Sequence, residues 1–122
     1  MKNLINSVLI AMLLSGCSAV STVKKYWPRE HDPALASAYV TTKIGTESIS
    51  CKDKTTWTAT EQQARWLNEY AVFRDDPQVE STRAIVENLE KARGTQSERA
   101  CEIWLDLVKQ RIVVLNKAWS GR

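Results

Sequence analysis

A chain of 122 residues has room for one small domain, and its formal charge of +3 combines 17 basic with 14 acidic residues. That near balance offers no basic excess of the kind nucleic acid selects, so no nucleic-acid partner is expected.

The first residues follow the plan of a secretory leader, with Lys2 as a basic start and an apolar stretch from Leu4 to Leu14 interrupted by Asn6 and Ser7. This stretch falls well short of the ~20 apolar residues that span a bilayer. At its end, Leu14-Ser15-Gly16-Cys17 resembles the lipobox of bacterial lipoproteins, in which a small residue precedes the cysteine that opens the mature chain. The resemblance implies cleavage before Cys17, a diacylglyceryl thioether on its sulfur and acylation of the freed amine. It also implies sorting: Ser18 follows the cysteine where aspartate would favour the inner membrane, so the lipid anchor is expected in the outer membrane, facing the periplasm. The same residues admit ordinary signal cleavage after Ala19, or a leader that stays in place.

On the lipoprotein reading the chain divides into a signal peptide (1–16), a lipidated tether (17–30) and a helical domain (31–122). Lys2 leaves with the leader, so the mature charge is about +2. With Cys17 taken by lipid, Cys51 and Cys101 remain as an even pair in an oxidising compartment. Their separation does not fit a CxxC redox motif, and two cysteines with one histidine make a poor zinc site. A structural disulfide is expected, worth roughly 4 kcal/mol in the chain-entropy model.

The tether (18–30, SAVSTVKKYWPRE) reaches about 45 Å if fully extended, at up to ~3.5 Å per residue. Its Lys24, Lys25, Tyr26 and Trp27 suit a lipid headgroup region, where lysine meets anionic groups and the amphipathic rings sit at the interface. Packing of Tyr26 and Trp27 onto the domain is the alternative, and the one favoured. Asp32-Pro33 then marks a helix start, Asp32 as an N-cap acceptor and Pro33 at the first helical position. The helix that follows carries Leu35, Tyr39, Thr42 and Ile49 at helical steps, with a weak point at Gly45.

CKDKTTW reads as a connection, after which Thr58 and Glu61 are spaced as a capping box. The helix they open places Trp66, Leu67, Tyr70, Ala71 and Phe73 on one broad apolar stripe, with Glu61 and Arg65 spaced for an ion pair. Asp75-Asp76-Pro77 repeats the Asp-Pro device, so Asp76 is expected to cap a third helix beginning at Pro77. That helix turns Val79, Ile85, Val86, Leu89 and Ala92 inward and closes at Gly94 in the left-handed conformation. Thr95 and Glu98 form a second capping-box pattern. The fourth helix is the clearest, with Cys101, Trp104, Leu105, Val108, Ile112, Leu115 and Trp119 in steps of three and four. Its acids come first and its bases last, as the helix dipole favours.

These elements predict an all-α, compact four-helix domain, an irregular bundle with one disulfide after a flexible N-terminal tether. Alternating directions are expected to put the end of the first helix and the start of the fourth at opposite ends. A Cys51–Cys101 bridge then calls for the two helices to cross steeply near Cys51.

Few residues suggest chemistry. His31, with Glu30 and Asp32 beside it, is the sole candidate base or ligand, and capping already accounts for Asp32. Asp75 and Asp76 are explained as turn and cap rather than as an acid pair. The single glycines Gly45, Gly94 and Gly121 make no phosphate-cradling loop. No cofactor, metal or catalytic residue is assigned. Of the five tryptophans, Trp57 lies outside the expected helices and is the candidate for an exposed partner contact. The resulting expectation is a noncatalytic protein-interaction module, lipid-anchored and serving an envelope assembly. A periplasmic inhibitor or exclusion factor, and an enzyme or small-ligand carrier, are the alternatives.

Overall fold

The computed structural model describes residues 32–120. The expectations for Cys17, Lys24, Lys25, Tyr26, Trp27 and His31 lie outside the described residues. The described chain forms four α-helices: α1 (Pro33–Ser48), α2 (Thr58–Phe73), α3 (Val79–Gly94) and α4 (Glu98–Trp119). The all-α, four-helix reading therefore holds.

Asp32 starts α1 as its type and place dictate. One carboxylate oxygen accepts from the backbone N–H groups of Ala34 at 3.0 Å and Leu35 at 3.2 Å, and Pro33 follows at the first helical position. The inward face of α1 is made of small residues, Ala38, Thr42 and Thr46 beside Leu35. The two buried threonines satisfy their hydroxyls within the helix, Thr42 on the Ala38 carbonyl and Thr46 on the Thr42 carbonyl, both at 2.8 Å. A small face lets another helix come close. A methyl group added at Gly45 would stand 2.8 Å from Thr60 Oγ1 on α2, so the glycine that weakens α1 locally is what lets α2 approach.

The expectations for Gly94 and for the two capping boxes are corrected. Gly94 ends α3 without entering the left-handed region, since Thr95 is extended at φ −76° and ψ 144°. The reason is a cation from elsewhere in the chain. Lys54 Nζ donates to the carbonyls of Ala92 (3.1 Å), Arg93 (3.2 Å) and Thr95, which satisfies the end of α3 and meets its negative dipole. Nor does either capping box form. Trp57 precedes α2 with no side-chain cap bond, and Glu61 turns instead to Arg93 of α3. Arg65, expected to pair with Glu61, reaches Glu90 of α3 at 2.8 Å. At α4 the cap is Ser97, which accepts from Ala100 N–H at 3.3 Å, while Thr95 Oγ1 donates to Ala92 O.

Between α2 and α3 the chain turns through Asp75, whose φ of 49° makes it the left-handed residue there. Asp76 does not cap a helix beginning at Pro77, because α3 begins at Val79. Its carboxylate instead accepts from Gln78 N–H at 2.8 Å inside the turn and from Trp119 Nε1 at 3.3 Å.

The core is one cluster to which every helix contributes. Leu67, Ile85, Leu89, Val108 and Leu115 are among its fully buried members. Each side chain of that size contributes roughly 1.5–3 kcal/mol by leaving water. Sequential helices pack on one another, and α1 meets α4 over the smallest contact.

Cys51 and Cys101 are bonded, with their Cα atoms 5.9 Å apart. The expected conflict with helix direction does not arise. Three reversals separate α1 from α4, so the end of α1, the start of α2, the end of α3 and the start of α4 share one end of the bundle. The Lys54 bonds to the last turn of α3 and the Cys51–Cys101 bridge both lie there. Asp32, Tyr70, Asp76 and Trp119 meet at the other end.

Candidate functional site

Cys51 and Cys101 are structural: Cys101 is fully buried, and the partly buried Cys51 packs against the same core. Trp57, expected as an exposed contact, is corrected to a core residue. It is fully buried, and its Nε1 donates to the Ser50 carbonyl at 2.9 Å across the α1–α2 connection. Lying outside a helix did not put the ring outside the core, because the connection folds over the end of the bundle.

The aromatic surface lies on α2. The sequence reading placed Trp66, Tyr70 and Phe73 on the same stripe as Leu67 and Ala71. The structure separates two faces. Thr60, Ala64, Leu67 and Ala71 face the core, whereas Trp66 is 50% and Phe73 81% exposed, with the half-buried Tyr70 between them resting against the core. Trp66 and Tyr70 stack, with ring centroids 5.1 Å apart and planes within 5°, and Phe73 continues the row 6.2 Å from Tyr70. Spacings of four and three residues put the three rings in line along the helix. The signal was present as a second periodic set offset from the small-residue set, but apolarity alone does not tell which set is buried.

This ladder is pinned to the start of α1. The Tyr70 hydroxyl donates to Asp32 Oδ2 at 3.0 Å, and Arg74 Nε lies 3.4 Å from the same oxygen. Burial by itself pushes the Asp32 carboxyl up. Hydrogen bonds from Leu35 N–H, the Tyr70 hydroxyl and Ala34 N–H, together with the Arg74 charge, outweigh it and hold the group below its ordinary value of 3.8. The bond to Asp32 is in turn the main cause that raises the Tyr70 phenol above its ordinary 10.0, with burial adding to it.

A folded-state pKa below the unfolded one gives stability that is complete above the unfolded value of about 3.9 and lost as pH falls through the folded value. Asp32→Asn keeps a capping oxygen but removes the charge. It is expected to melt below the wild type at pH 7, with the gap narrowing as pH falls below the ordinary carboxyl value in thermal melts across pH. A gap that persists in acid would assign the loss to packing rather than charge.

Other apolar side chains reach solvent. Ile103, Val113 and Val114 do so on α4, and Val40 and Ile44 on α1. The remaining described tryptophans are engaged: Trp104 lies under Lys91 Nζ, 4.8 Å from the ring centroid, and Trp119 meets Tyr39 edge-on at 5.9 Å. Among the described residues no group of three or more His, Cys, Asp or Glu side chains is placed to hold a metal ion. No described helix is long and apolar enough to cross a membrane.

Fold and surface together define a disulfide-stapled four-helix domain with an exposed aromatic ladder beside the point where the chain leaves toward its N-terminus. No protein-family model, no curated protein and no solved structure matches the chain.

Proposed function

We propose that this chain is a lipid-anchored, noncatalytic interaction module, held through Cys17 at the periplasmic face of the outer membrane and binding a protein partner in an envelope assembly. The observation that carries the reading is Leu14-Ser15-Gly16-Cys17 at the end of an apolar leader, with Ser18 following. The Cys51–Cys101 bridge supports it, because such bridges persist in oxidising compartments such as the periplasm. Aliphatic residues exposed on α1 and α4 supply apolar area for a partner.

Globomycin, which blocks the lipoprotein signal peptidase, tests the anchor. Treated cells are expected to accumulate the uncleaved, larger precursor, and Cys17→Ser is expected to abolish incorporation of labelled palmitate. An unchanged mature band under globomycin would overturn the anchor. Crosslinking in intact cells followed by mass spectrometry tests the partner: a specific envelope protein is expected, and recovery of none would overturn the interaction role.

A further inference from the structure

We propose that the Trp66–Tyr70–Phe73 face of α2 is a membrane-docking surface, seated in the headgroup boundary of the bilayer that holds the anchor; the inference rests on lipidation of Cys17. Three observations meet at this face. The first is its composition. Tryptophan and tyrosine favour the water–hydrocarbon interface because each ring joins an apolar body to a polar edge, and Phe73 adds an apolar ring that is 81% exposed. The exposed residues of α4 and α1 named above are aliphatic and lack that amphipathic character.

The second observation is where the described chain begins. Asp32, the first described residue, accepts a hydrogen bond from Tyr70, the central ring of the ladder, so the described chain begins beside this face. The third is length. Fifteen peptide links join Cys17 to Asp32, a reach of at most about 50 Å. An anchored domain is thereby confined near the bilayer, where the local concentration of lipid turns even weak association into frequent docking.

The charges indicate how docking works. Glu69 and Asp75 are exposed beside the ladder, while Arg74 is paired with Asp32. Attraction to anionic headgroups does not drive the contact. Burial of the rings does, so docking is expected on zwitterionic lipid and to change little with salt.

The test follows Trp66 emission in the Trp27→Phe chain on phosphatidylcholine vesicles containing brominated acyl chains. One arm uses the lipidated protein extracted from membranes. The other uses a leaderless Cys17→Ser chain with an N-terminal hexahistidine, held on nickel-chelating lipid, and stays readable whether or not Cys17 is acylated. In the second arm bromine is expected to quench the emission. Trp66→Phe should remove the quenched component, and Phe73→Ser should weaken docking about tenfold while leaving the melting temperature unchanged. Quenching that survives Trp66→Phe, or none at all, overturns the inference. So does a lipid-free dimer, seen by sedimentation, that Phe73→Ser dissolves, because the ladder would then serve a second copy. Quenching in the second arm alone, with no acyl chain recovered in the first, supports the surface and overturns the lipid anchor.

Discussion

The double variant Cys51→Ser, Cys101→Ala is expected to melt about 20 °C below the wild type, from a stability loss of roughly 4 kcal/mol. The bridge spans a sequence separation of 50 residues and closes a loop that holds all of α2 and α3. Opening that loop restores entropy to the unfolded chain, which is where the chain-entropy model places the effect. A domain of this size has only about 5–15 kcal/mol in total, so the loss is a large part of it. Alanine suits position 101, which is buried in a helix, and serine suits the partly exposed position 51. The bridge also fastens α1 to α4, which touch over the smallest area of any helix pair in contact. Hydrogen exchange on the double variant is therefore expected to show α1 opening before α2, α3 and α4. A melting point within a few degrees of wild type, or uniform exchange, would mean that packing alone holds α1 in place.

The parts of this fold that could be read from sequence are those decided within one helical turn or by simple periodicity. The Asp32-Pro33 start needs only its own neighbours, and Leu105, Val108, Ile112 and Leu115 line α4 because their steps of three and four fall on one face. What could not be read depends on residues far along the chain. Glu61 has the spacing of a capping residue, yet an arginine on α3 offers it a charged partner and the local box gives way. Gly94 could close α3, yet Thr95 N–H takes the Lys91 carbonyl and Lys54 takes those of Ala92 and Arg93. The aromatic ladder was misplaced for a related reason. Trp66, Tyr70 and Phe73 are more apolar than Thr60, Ala64 and Ala71, but small side chains are what allow α1 and α3 to come close to α2. Packing geometry, not hydropathy, chose the buried face. The helix directions were available from counting reversals alone, and the Cys51–Cys101 pair is where the correct count shows.

Trp57 gives the second large effect. Trp57→Ala is expected to cost about 3–5 kcal/mol in urea unfolding, because it removes a fully buried indole from the end of the core. Trp57→Phe keeps most of the ring and is expected to cost only about 1–2 kcal/mol, from the lost bond to the Ser50 carbonyl and imperfect filling of the site. Ser50 adjoins Cys51, so the indole and the bridge brace the same few residues. Their losses are expected to couple: Trp57→Ala in the bridge-free chain should differ from the sum of the two effects by about 0.5–3 kcal/mol. The same variants separate a core role from a contact role. A ring used mainly to touch a partner would leave unfolding unchanged on truncation and abolish crosslinking to that partner. A ring used to close the core acts the other way, with Trp57→Phe retaining both fold and partner. Loss of crosslinking in a fully stable Trp57→Phe chain would return the residue to the surface role that its place outside a helix first suggested.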